Sequence, residues 1–145
     1  MKIGILRLGN EGRVLFYIQC LAVIGVLLAI FLLFEQITRP AVSPCYVNSR
    51  VNCEAVISGP VARTLGIPTP IYGLVGYIVI FAASIFRKKK LLLFMAAFGL
   101  AFCLWIAFRE IVQLNVLCPI CIGCQLNMIA VFSLAVLIRK KSREV

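Results

Sequence analysis

Four long apolar runs, each closed by charge or proline, limit this chain to a fold that lives in a bilayer. Crossing ~30 Å of hydrocarbon at about 1.5 Å per helical residue takes about 20 predominantly apolar residues. The first run lies between Arg13 and Arg39 and carries one formal charge, Glu35, near its far end. A secretory signal peptide has an apolar core of only ~7–15 residues, so this run reads as an uncleaved span. The second runs from about Ile71 to Phe86, with an earlier start inside Ile67–Pro70 also open, and is the shortest; the third runs from Leu91 to Val112, with Arg109-Glu110 near its end. The fourth begins at Pro119 and stops at Arg139. Hydrophobic residues make up 63% of the chain, against roughly 45–50% in soluble domains. The expected fold is an all-α integral membrane protein, a four-transmembrane-helix bundle with spans at about 14–37, 71–86, 91–112 and 119–138. Residues 1–145 form a single expected domain with no thioredoxin-like module fused to it.

A net charge of +10 would suit nucleic acid if the basic residues shared one soluble surface. Here eleven of fifteen Lys and Arg fall at Lys2, Arg7, Arg13, Arg87–Lys90 and the tail Arg139, Lys140, Lys141 and Arg143, all on one side of a four-span topology. The positive-inside rule makes that side cytoplasmic, so orientation in the plasma (inner) membrane explains the charge and nucleic acid does not. Both termini are then cytoplasmic, while an outer loop, residues 38–70, and the turn Asn115–Cys118 face outward together. Reversed insertion would put the Arg87–Lys90 run on the wrong side. Five of the six prolines lie in the outer loop, which marks it as an ordered loop rather than a span.

Depth sorts the seven cysteines. Cys20 and Cys103 lie inside apolar runs, where cysteine behaves as a small hydrophobe. Cys45, Cys53, Cys118 and Cys121 lie at the outer face, where disulfides form and persist. In Cys118-Pro119-Ile120-Cys121, proline suits the first helical position, which makes Cys118 the cap and Cys121 the third helical residue. Both sulfurs then sit near unpaired N–H groups at the positive end of a helix dipole, which favours thiolate, as a dithiol exchange site requires. Asn52 is a candidate cap for a short outer helix over Cys53–Ile57, interrupted by Gly59-Pro60, with Gly66 ending a second turn. On its own, Cys45/Cys53 is more often a structural loop staple than a catalytic pair. Zinc is disfavoured for Cys118/Cys121, because the chain has no histidine and no second C-x2-C. Cys124, one turn beyond Cys121, shares nearly its face and reads as a buried small residue or as a group tuning the site. Arg109-Glu110 reads first as an interfacial ion pair setting helix depth, and second as an aid to the thiolate.

From about Val14 to Ile138 the chain resembles the vitamin K epoxide reductase family in its bacterial or archaeal form. The matching features are Cys45 and Cys53, the run Cys53-Glu54-Ala55-Val56, Gly66-Ile67-Pro68, Tyr72-Gly73, Gly76-Tyr77 and the C-x2-C at the head of the last span. Other quinone-linked disulfide oxidases place the C-x2-C after the first span; here it follows the third. The resemblance implies an active-site pair Cys118/Cys121, with Cys121 nearest a quinone of the ubiquinone, menaquinone or vitamin K type. It implies a shuttle pair Cys45/Cys53 that exchanges with a thioredoxin-like or DsbA-like thiol protein, Cys53 passing electrons to Cys118 through a transient disulfide. Its quinone headgroup would dock among the outer helix ends, under the loop. Two positions depart from the family. Where a hydroxyl residue often hydrogen-bonds the quinone carbonyl this chain has Gly59, with Ser58 one residue early as either a substitute or a cap, and where animal members have tyrosine it has Gln125.

The expected activity is thus quinone-linked thiol-disulfide oxidation supporting disulfide bond formation. Reduction of vitamin K quinone or its epoxide with partner-derived electrons is the alternative within the class. A non-catalytic membrane scaffold stapled by a loop disulfide is the alternative outside it.

Overall fold

A computed structural model describes residues 2–38, 47–60 and 62–143. The chain is mostly helical: α1 (Lys2–Thr38), a short α2 (Cys53–Ser58), a two-stranded hairpin of β1 (Arg63–Thr64) and β2 (Ile67–Pro68), α3 (Thr69–Ile85), α4 (Lys89–Arg109) and α5 (Pro119–Arg143). A π-helical turn, Glu110–Leu114, continues α4. The four long helices pack in a ring, α1 against α3 and α5, and α4 against α3 and α5.

Among the described residues, three segments are long and apolar enough to cross a membrane: Gly9–Thr38, Lys89–Leu114 and Pro119–Arg143. The second expected span, α3, has 17 residues and reaches ~26 Å at 1.5 Å each, short of the usual hydrocarbon thickness. It begins at Thr69, within the Ile67–Pro70 stretch that the sequence leaves open for its start, because Pro70 is tolerated within the first helical turn. It ends in a Schellman cap, with Arg87 at φ 52°, the Lys88 N–H on the Ala83 carbonyl (2.9 Å) and the Arg87 N–H on Ser84 (3.2 Å). The helices α1 and α5 outrun their expected spans through basic ends. Lys140, Lys141 and Arg143 in the last turn of α5 complement its dipole.

The main core joins Ile18 and Ala22 of α1, Tyr77, Ile80 and Ala83 of α3, Leu92 and Ala96 of α4, and Met128, Val131 and Ala135 of α5. Apolar residues also cover the outside, where Phe16, Leu27, Phe34, Phe94, Phe108 and Leu126 are exposed. An exposed apolar surface of this extent fits lipid. Two polar side chains in the core are tied together: Asn127 Nδ2 donates to the Leu21 carbonyl (2.9 Å) and to Tyr77 Oη (3.2 Å), and Tyr77 Oη donates to the Cys124 carbonyl (3.2 Å). Gly25 makes this possible, since a Cβ there would overlap the Tyr77 ring.

The short outer helix is as expected at its start. Asn52 Oδ1 accepts from the N–H groups of Glu54 (2.8 Å) and Ala55 (3.4 Å). Gly66 differs from expectation. It ends no helical turn but forms the tip of the 63–68 hairpin with Leu65, both at positive φ (83° and 54°), as a two-residue type I′ turn requires.

Candidate active site

Backbone pairing brings the loop before α2 to the head of α5. The chain turns after the π-helical segment through Asn115 (φ 51°), and Leu117 then bonds the loop on both sides: its N–H donates to the Arg50 carbonyl (2.7 Å) and its carbonyl accepts from the Asn52 N–H (3.2 Å). One residue further along each strand stand Cys53 and Cys118. Both are fully buried, in a small cluster with Leu32, Val56 and Val116 at one end of the bundle.

Cys118 caps α5 as its sequence requires. Its carbonyl accepts the Ile122 N–H (3.0 Å) and its Sγ accepts the Cys121 N–H (3.3 Å). Hydrogen bonding from the Cys121 thiol holds the Cys118 pKa below its ordinary value, against the opposing effect of burial, with the Cys121 and Ile120 backbone N–H groups adding to the lowering. Cys53 is disulfide-bonded, while Cys118 and Cys121 are free thiols. The Cys118 Sγ lies 3.0 Å from the Cys53 Sγ, within the ~3–3.5 Å of a near-attack arrangement. Cys45 lies outside the described residues. The structure thus brings together Cys53, Cys118 and Cys121 of the four outer cysteines.

Cys121 also lines a cavity of about 450 Å³ between α1, α3, α4 and α5. Tyr72, Gly73, Gly76, Phe98 and Phe102 line it, and it runs down to Met128, seven residues or ~10 Å along α5 from Cys121. Its volume and almost wholly apolar walls suit an aromatic ring with an apolar tail, and a quinone fits that description. Gln125 also lines it, at the position where the sequence departs from the animal pattern. Ser58 does not. It is exposed at the end of α2 and lines a separate depression with Ile37, Gly59 and Pro60. A side chain at Gly59 would meet the Ala55 carbonyl oxygen at 2.5 Å, so this backbone has no room for the family's hydroxyl residue.

Five further residues differ from or add to expectation. Arg109 and Glu110 do not pair: Arg109 stacks over Trp105 (5.2 Å) and donates to Gln113 (3.2 Å), whereas Glu110 turns inward. Adjacent helical residues point ~100° apart, so one side chain of such a doublet can face the bundle while the other faces out. Cys124 and Cys103 both line the cavity, and Cys20 is exposed on α1.

No match to a curated protein was found. The model of the vitamin K epoxide reductase family matches residues 16–136, most of the chain and all of the site just described. With its apolar helices, its clustered thiols and that match, the chain belongs to the vitamin K epoxide reductase family of membrane oxidoreductases.

Proposed function

We propose that the protein oxidises a thioredoxin-like partner and passes the electrons to a membrane quinone. The observation that carries this reading is the 3.0 Å approach of Cys118 to the disulfide-bonded Cys53, with Cys121 opening onto the apolar cavity. In this reading Cys53 is paired with Cys45, and Cys45 accepts the partner's thiol. The reduced Cys53 attacks Cys118 of the Cys118–Cys121 disulfide, Cys45 resolves the mixed species, and the Cys118/Cys121 dithiol is left facing the cavity. That dithiol, beside an oxidised Cys53, is the arrangement described above.

The same reading has α3 as a fourth span, supported by its packing between α1 and α4. A span of this length is accommodated by local thinning of the bilayer and by flanking basic side chains such as Arg87–Lys90 reaching the headgroups. The basic ends of α1 and α5 then face the cytoplasm of a plasma membrane and the cysteine site faces outward. Thiol-alkylation gel shifts on reduced protein, before and after adding quinone, test it: the outer cysteines should become unreactive as disulfides re-form, and an unchanged pattern overturns the reading. The family's description favours a second reading, in which vitamin K epoxide is the oxidant for the same dithiol. Assay of the purified protein with epoxide and a dithiol separates the two.

A further inference from the structure

Glu110 is a buried carboxyl group that thiol exchange alone does not need. It is 3% exposed, and its Oε1 is enclosed with no hydrogen-bond partner among the described residues. It lines the same cavity as Cys121, with its carboxyl group beside the Cys121 thiol. It stands where α4 gives way to the π-helical turn Glu110–Leu114, and π-turns inside helices frequently mark functional sites. Ionisable side chains within membrane helices are costly and rare, and mark functional sites such as proton relays. The neighbouring cation, Arg109, is turned away to Trp105 and offers it no compensation. A buried carboxyl group that lines the same apolar cavity as a reactive thiol, with one oxygen left unpartnered, is the layout of a proton relay.

We propose that Glu110 carries the proton between Cys121 and the electron acceptor. The inference rests on the quinone reading above and adds the route of the proton. As the Cys118/Cys121 dithiol is oxidised, the Cys118 thiolate bonds to the Cys121 sulfur and two electrons leave for the quinone, which is reduced to quinol. Of the two protons that balance this step, the Cys121 proton passes to Glu110 and from it to a quinone oxygen. The Cys118 proton has already been released to solvent when its thiolate forms, and solvent supplies the equivalent proton to the second oxygen. Glu110 is then a catalytic residue, with Gln unable to replace it and Asp able to do so in part.

Two measurements on the full chain in lipid nanodiscs test this. Infrared difference spectra between the dithiol form, prepared with dithiothreitol, and the disulfide form, prepared with diamide, need no quinone. They should contain a carboxylic-acid carbonyl change that Glu110→Gln abolishes, and its absence from the native protein overturns the proposal. Single-turnover quinol formation from a short-chain benzoquinone should slow by about 100-fold or more in Glu110→Gln, the scale of general acid–base catalysis. Glu110→Asp should recover part of that rate, while trapping of Cys53 on Cys118 in a Cys121→Ala background is unaffected. Equal rates in native protein and Glu110→Gln, or parallel loss of rate and trapping, overturn it. A native protein that shows the carboxyl change but forms no quinol overturns the quinone reading and leaves proton exchange between Cys121 and Glu110 supported.

Discussion

Asn52 and Leu117 are joined backbone to backbone, the Asn52 N–H donating to the Leu117 carbonyl at 3.2 Å, and the residue after each is a buried cysteine. The same Asn52 caps α2 through its side chain, so one residue fixes both the helix that carries Cys53 and its distance from Cys118. Replacing the cap, Asn52→Ala, should cost ~1 kcal/mol of local helix stability. Formation of the Cys53–Cys118 disulfide in a Cys121→Ala background should slow by about fivefold, the equivalent of that energy. Asn52→Ser should restore most of the rate, followed by quenched alkylation.

The lowered pKa of Cys118 makes its reactivity depend on pH with a definite sign. The thiolate is the nucleophile, so reactivity is present above the pKa and is lost as pH falls through it. In a Cys45→Ala/Cys53→Ala protein, alkylation of Cys118 should reach its half-maximal rate below the pH expected of an ordinary thiol. Removing the main stabilising hydrogen bond with Cys121→Ala should move the midpoint upward. A midpoint that does not respond to Cys121 would contradict the assignment of the shift to that contact.

Gly73 and Gly76 sit inside α3, where each glycine costs ~1 kcal/mol relative to alanine, and a Cβ on either would meet nothing within 4 Å. Both line the cavity, so their missing side chains leave room there. Gly76→Leu should therefore raise the apparent KM for quinone by tenfold or more, on the order of the ~1.4 kcal/mol that a tenfold loss of affinity represents. Thermal stability should hold, and so should Cys53–Cys118 exchange. Quinone titrations of reduced protein and melting curves of the same preparation check the two halves.

What could be read from sequence was local. Proline after Cys118 fixes a helix start, and the cap geometry follows from it, so Cys118 and Cys121 stand where their spacing places them. Asn52 announced the start of α2 in the same way. The juxtaposition of Cys53 with Cys118 depends on the pairing of residues 50 and 52 with Leu117, a tertiary contact with no sequence signature beyond a shared outer side. Adjacency in sequence suggests pairing Glu110 with Arg109, yet helical geometry sends them to different faces. The hairpin at 63–68 went unforeseen because Leu65 takes a positive φ that Asn or Asp more commonly adopts. The length of α3 was set by the hairpin before it and the Schellman cap after it, neither of them a hydropathy feature.

Electron passage between the loop and α5 through Cys53 and Cys118 is the centre of this account. With Cys121→Ala the Cys118 thiolate has no resolving partner. Peptide mapping by mass spectrometry under non-reducing conditions should then find a Cys53–Cys118 disulfide, with Cys45 free and alkylated. The species should vanish in Cys118→Ala. A Cys121→Ala protein in which Cys53 remains bonded to Cys45 and Cys118 is recovered as a free thiol would contradict the account.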